Sequence, residues 1–115
     1  YDLRFPVWSR NKYHYDLLIY VANWPDKRIH AWDTLLKARA IENMCYCLGV
    51  NRLGNDRNNK SYPGHTAFFN YLGDKVACSI EQKNDIIEFN FDKQEMISIR
   101  EELKFLNDID DFKFQ

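Results

Sequence analysis

Hydrophobic and polar positions follow three different spacings along this chain, and each change of spacing marks a new element. Asp16-Leu17-Leu18-Ile19-Tyr20-Val21-Ala22 is a short, almost unbroken apolar run, which predicts a strand buried on both faces. It ends at Asn23-Trp24-Pro25-Asp26, where proline stops the ladder and short polar side chains prepare a helix start. From about 28 to 43, Trp32, Leu35 and Leu36 recur at helical spacing, with good helix formers between them and no glycine or proline. This predicts a helix. Met44 to about Arg52 is apolar again, interrupted by Gly49, and predicts a second buried strand. Strand, helix and strand then make a crossover between parallel strands, which is almost always right-handed.

Leu53 to Gly64 is dense in Gly, Asn, Asp, Ser and Pro, and predicts an exposed, mobile loop. Beyond it the spacing becomes two. Thr66–Tyr71, Lys75–Glu81 and Ile86–Phe91 alternate like strands, and the short joins between them predict an antiparallel meander. Asp92 with Glu95 resembles a capping box, after which Met96, Ile99 and Leu103 share one face of a closing helix. In the tail from Asn107 to Gln115, Phe112 and Phe114 predict docking on the chain's own sheet or on a neighbouring subunit. The predicted helices cover one face of the sheet. The other face requires a partner.

Composition narrows the classes. With 115 residues, 45% of them hydrophobic, the chain can bury one core, and nothing in it reads as a linker. Sixteen basic and seventeen acidic residues leave a net charge of -1, so no overall field favours nucleic acid or a membrane surface. No apolar run approaches the roughly 18 to 20 residues of a spanning helix, and no signal segment opens the chain, so the expectation is a cytoplasmic protein. Cys45, Cys47 and Cys78 match no zinc spacing and read as buried, reduced thiols. No metal and no cofactor is expected.

The opening Tyr1-Asp2-Leu3-Arg4-Phe5-Pro6-Val7-Trp8 is unusual, because chain ends are ordinarily polar and poorly ordered. It resembles the segment that directly follows the nucleophilic cysteine, the tail of the active-site elbow, in the nitrilase superfamily of carbon–nitrogen hydrolases. Ala22-Asn23-Trp24-Pro25, Arg39-Ala40-Ile41-Glu42-Asn43, Asn51-Arg52-Leu53-Gly54 and Gly64-His65-Thr66 resemble further motifs of that superfamily, in the same order. With Asp110-Asp111-Phe112 at the end, the combination is most similar to the omega-amidase branch. The resemblance covers the whole chain.

What the resemblance implies is an α/β fold, half of a four-layer α-β-β-α sandwich. Residues 1–115 would be the C-terminal half of a single hydrolase domain, with the N-terminal half outside this sequence. The implied chemistry is hydrolysis of small ω-amides of dicarboxylic acids, such as α-ketoglutaramate, through a cysteine acyl-enzyme, with the cysteine just before Tyr1. A glutamate base and a lysine, also outside this sequence, would assist. The 115 residues alone would be inactive. Alternatives are another amidase of the superfamily, acting on N-carbamoyl amino acids, aliphatic amides or nitriles, and a non-catalytic α+β binding module. The implied assembly is a homodimer through the elbow-side helix and the C-terminal segment.

Within that frame, the backbone N–H of Tyr1 would serve the oxyanion hole. Arg4 would hold a substrate carboxylate, or else pair with Asp2 or Glu42 inside the elbow. Asn23 and Trp24, at a strand end, would line the acyl pocket or pack the turn. Asp2, Arg39 and Glu42 would support the elbow from behind. Arg39 and Glu42 are three apart on the predicted helix and can pair with one another. His65 reads as a hydrogen-bonded structural histidine.

Overall fold

A computed structural model describes residues 1–80 and 82–111. Phe112, Lys113 and Phe114, and with them the expected docking of the tail, lie outside the described residues.

The first half follows its apolar pattern closely. β1 (Leu17–Ala22) and β2 (Tyr46–Asn51) are parallel, pairing Leu17 with Tyr46 through to Ala22 with Asn51, and α1 (Ile29–Asn43) connects them. The helix ends because Met44 turns left-handed at φ 45°, which lets its N–H and that of Cys45 close onto the last carbonyls. Gly49 does not interrupt β2. A Cβ there would lie 2.3 Å from Leu36 and 2.6 Å from Trp32, so glycine is what lets α1 lie close against the strand.

Side-chain alternation divides the sheet into two apolar faces. Leu18, Tyr20, Cys47, Ala67 and Phe69 face α1 and pack on its fully buried Trp32 and Leu36. Each of those two side chains contributes about 1.5–3 kcal/mol by leaving water. Tyr46, Leu48 and Phe68 point the other way, where α2 (Lys93–Leu103) covers them at one end through Met96 and Ile99. The far end of that face is bare, with Ile19 53% and Val21 81% exposed. The helices therefore cover more than the one face expected, yet leave part of the second open.

The second half departs from its pattern in three places. The predicted loop between Leu53 and Gly64 contains a two-stranded hairpin, β3 (Leu53–Asn55) with β4 (Ser61–Pro63). Gly54, Asn55, Ser61 and Pro63 are paired in its strands, and at its tip Asp56 Oδ1 accepts from the N–H groups of Asn58 at 2.8 Å and Lys60 at 2.9 Å. The meander has two strands here, β5 (Ala67–Phe69) and β6 (Lys75–Cys78), which complete a sheet of order β1-β2-β5-β6. Ile86–Phe91 is not a strand. Its alternation reflects Phe89 and Phe91 lying on the rings of Tyr46 and Phe68 at 5.0 Å, without a backbone ladder. Cys78 is exposed, because β6 ends there at the sheet's edge, while Cys45 and Cys47 are buried as expected.

The capping box is half formed. Asp92 accepts from the N–H groups of Gln94 and Glu95, but its own N–H donates to the Tyr46 hydroxyl instead of to Glu95. Leu103 is also 38% exposed, so the buried face of α2 is shorter than predicted.

Candidate active site

The opening residues fold as two consecutive 3₁₀ turns, Asp2–Arg4 and Pro6–Ser9, with Leu3 buried between the segment and α1. A polar network fixes this segment to the end of the helix. Asn11 donates from its backbone to Asn43 Oδ1 at 2.9 Å and from Nδ2 to the Asn43 carbonyl at 3.0 Å. Arg10 donates to the Glu42 carbonyl at 2.6 Å, and Arg39, 3% exposed, donates to the carbonyl of Leu3. Arg39 also pairs with Glu42 at 2.9 Å. Both readings of Arg39 therefore describe one geometry: it pairs along the helix and holds the back of the opening turn. Asp2 begins that turn and is exposed.

β1 delivers Asn23-Trp24-Pro25 to the C-terminal end of the parallel strands, where Tyr1 and Arg4 also lie. Asn51, the last residue of β2 and 7% exposed, clamps the loop there. Its Oδ1 accepts from the Trp24 N–H at 2.7 Å, and its Nδ2 donates to the carbonyls of Trp24 at 3.0 Å and Gly64 at 2.7 Å. One amide thus satisfies three backbone groups on two loops. The Trp24 indole donates to the Arg28 carbonyl at 2.7 Å and packs on Trp32 at 5.5 Å, and Trp32 in turn donates to the carbonyl of His65 at 2.8 Å. His65 Nδ1 lies 3.0 Å from Asp33, the hydrogen-bonded arrangement its position suggested.

A pocket of about 310 Å³ opens where these pieces meet, lined by Tyr1, Arg4, Asn23, Trp24, Pro25 and Arg28. Four of the predicted site residues line it together. The Arg4 guanidinium lies over the Trp24 ring, 4.8 Å from its centroid, rather than on Asp2 or Glu42. Arg28 was missed because its neighbourhood reads only as a helix start. Asn51 was visible only as part of a motif, although a polar residue closing an apolar strand is the kind of signal that marks a clamp.

The cysteines of the chain stay out of this chemistry. Burial pushes the Cys45 thiol up to about 12, and burial pushes the Cys47 thiol up as well. Among the described residues, no group of His, Cys, Asp and Glu is arranged to hold a metal, and no helix is long and apolar enough to cross a membrane.

A family model described as carbon-nitrogen hydrolase matches residues 1–101. The chain belongs to the carbon–nitrogen hydrolase family. Among relatives of this chain, the omega-amidase YafV of Yersinia enterocolitica is 43% identical over 112 residues, 97% of this chain and 44% of that protein. The 2-oxoglutaramate amidase of Bacillus subtilis is 33% identical over 111 residues, 95% of this chain and 42% of that protein. The structure of XC1258 from Xanthomonas campestris, a CN-hydrolase superfamily protein with an arsenic adduct in its active site, superposes with a TM-score of 0.94 at 36% identity. That match covers 100% of this chain and 46% of the other. The chain thus spans a little under half the length of these relatives. Its fold is the corresponding half of the nitrilase-type fold.

Proposed function

We propose that residues 1–115 are the C-terminal half of a single hydrolase domain whose full-length protein hydrolyses ω-amides of short dicarboxylic acids, such as 2-oxoglutaramate. The observation that carries this reading is the small cationic pocket at Tyr1, in a chain whose relatives include an omega-amidase and a 2-oxoglutaramate amidase. The bare end of the sheet supports the two-halves reading, since a second sheet would bury Ile19 and Val21.

In this mechanism the thiolate of a cysteine preceding Tyr1 attacks the amide carbonyl carbon, and the displaced electron pair collects on oxygen. The backbone N–H of Tyr1 and a lysine from the other half stabilise that oxyanion. Collapse re-forms the carbonyl and breaks the C–N bond, and ammonia leaves with a proton from a glutamic acid. The resulting glutamate then deprotonates a water, which attacks the thioester and releases the carboxylic acid and the thiolate. Arg4 holds the distal carboxylate, Asn23 and Trp24 shape the acyl pocket, and Arg39 with Glu42 and Asp2 support the turn. Unpaired Cys45, Cys47 and Cys78 suit a reducing compartment, so we infer a cytoplasmic enzyme.

The test is ammonia release by the full-length protein from 2-oxoglutaramate beside N-carbamoyl amino acids, aliphatic amides and nitriles. Preference for 2-oxoglutaramate is expected. Strong turnover of another class with none of 2-oxoglutaramate rejects the substrate assignment, and a residue other than cysteine before Tyr1 rejects the mechanism.

A further inference from the structure

The pocket at Tyr1 holds two guanidinium groups and no carboxylate. Arg4 and Arg28 both line it, and its remaining lining residues are Tyr1, Asn23, Trp24 and Pro25. Asp26 lines the adjoining cavity instead, where Lys27 and Lys60 accompany it. Neither guanidinium is neutralised where it stands. Arg4 meets the π face of Trp24, a contact that engages its charge and leaves N–H donors for a planar acceptor. The Arg28 guanidinium makes no hydrogen bond or ion pair among the described residues. Its backbone is nevertheless held, because the Trp24 indole donates to the Arg28 carbonyl at 2.7 Å and the Arg28 N–H donates to Pro25 at 3.0 Å. An anchored backbone carrying an unpaired, forked cation at a pocket rim is a site for an anion.

We propose that Arg28 is a specificity-determining residue: with Arg4 it forms a two-guanidinium subsite that takes the carboxylate at the end of the substrate remote from the amide. The proposal rests on the reading that amides react at Tyr1, and it extends that reading by naming what selects among them. Two cations facing one carboxylate give more than charge balance, because each fork can donate parallel hydrogen bonds to the two oxygens. A neutral amide of the same length finds no acceptor-rich end to offer them. The volume, about 310 Å³, sits at the small end of ligand sites, which suits a chain of a few carbons and excludes an extended peptide. Arg28 also lines the neighbouring cavity of about 660 Å³ beneath the tip of the β3–β4 hairpin, so it stands at the boundary between the two spaces. It therefore closes the acyl pocket on the side where a longer substrate would escape.

The experiment uses the full-length protein and its R28Q and R28K variants, titrated by calorimetry with glutarate and with glutaramide. Arg28 is exposed and its side chain makes no hydrogen bond or ion pair among the described residues, so both variants should fold. Glutarate affinity is expected to fall about 10- to 100-fold in R28Q, the scale of a lost charge-assisted contact, and part of the way in R28K. Glutaramide affinity should stay within about twofold in both. Unchanged glutarate affinity in R28Q, an equal loss for glutaramide, or absence of glutarate binding to the unsubstituted protein each overturns the proposal. Ammonia release from 2-oxoglutaramate, measured on the same preparations, separates the two readings. Arg28-dependent glutarate binding without turnover sinks the catalytic assignment and leaves the subsite standing. Turnover with a KM that R28Q does not move sinks the subsite and leaves the assignment standing.

Discussion

Cys45 and Cys47 sit on either side of Tyr46, yet they meet different surroundings, since Cys47 faces α1 while Cys45 precedes the strand. Both are fully buried, and burial disfavours the thiolate of each. Cys78 shares neither condition, because it stands exposed at the end of β6. Alkylation of the native full-length protein by iodoacetamide at pH 8, followed by peptide mass mapping, should therefore modify Cys78 and spare Cys45 and Cys47. Unfolding in guanidinium should expose all three. Modification of Cys45 or Cys47 at the rate of Cys78 in the folded protein would show that the strand opens far more readily than its packing implies.

At the scale of elements, α2 is tied to the rest of the chain by charge as well as by Met96. Asp16 receives Lys93 at 2.6 Å and Arg100 at 2.9 Å, and Arg100 also donates to the carbonyls of Met44 at 2.7 Å and Tyr15 at 2.8 Å. The Lys93 hydrogen bond, with Arg100 assisting against the cost of burial, holds the Asp16 carboxyl below its ordinary range. A folded-state value below the unfolded one stabilises the fold above the unfolded value and ceases to do so as pH falls through the folded one. The D16N variant of the full-length protein should thus be less stable at pH 7 by about 1–2 kcal/mol. That gap should narrow as pH drops below about 4. Urea unfolding at pH 7, 5, 4 and 3 measures it, and a gap that ignores pH would rule out the ion pairs as its source.

The same scale explains what the sequence disclosed. β1, α1 and β2 were legible because one apolar run, one helical spacing and a second run each had a single way to hide from water. Ile86–Phe91 misled because alternation records which side chains face a surface, and Phe89 and Phe91 face one without any ladder. The β3–β4 hairpin was hidden because most of its paired residues, Gly54, Asn55, Ser61 and Pro63, are themselves turn formers. In the site, Arg4, Asn23 and Trp24 were legible through motif resemblance, whereas Arg28 and the clamp of Asn51 depend on contacts between segments distant in sequence.

The molecule as a whole is a slab, 45 × 40 × 18 Å, with a radius of gyration of 15.3 Å. A compact domain of this length has about 13 Å. The excess is the shape of a half-sandwich: wide faces, little depth and a bare apolar end around Ile19, Val21 and Val50. Phe5 and Trp8 are also exposed, 50% and 72%, on the opposite, helix-side segment of the chain's opening. We expect the full-length protein to cover the sheet face internally and to use the opening segment, with the C-terminal segment, in a homodimer. Multi-angle light scattering should give twice the monomer mass. A monomer mass at micromolar concentration would overturn the expectation, and a dimer that persists in the double variant F5S/W8S would move the interface elsewhere.

The clamp at Asn51 also bears on how long the pocket can last. Its Nδ2 faces two carbonyl oxygens at 3.0 and 2.7 Å, so the side chain tolerates only a donor at that position. Spontaneous deamidation to aspartate would exchange that donor for an oxygen and set like dipoles against one another in a dry site. The Trp24 and Gly64 loops would then part, and with them the wall of the pocket. Chemical ageing of a single buried amide is thus a route by which this protein would lose its binding surface without losing its fold.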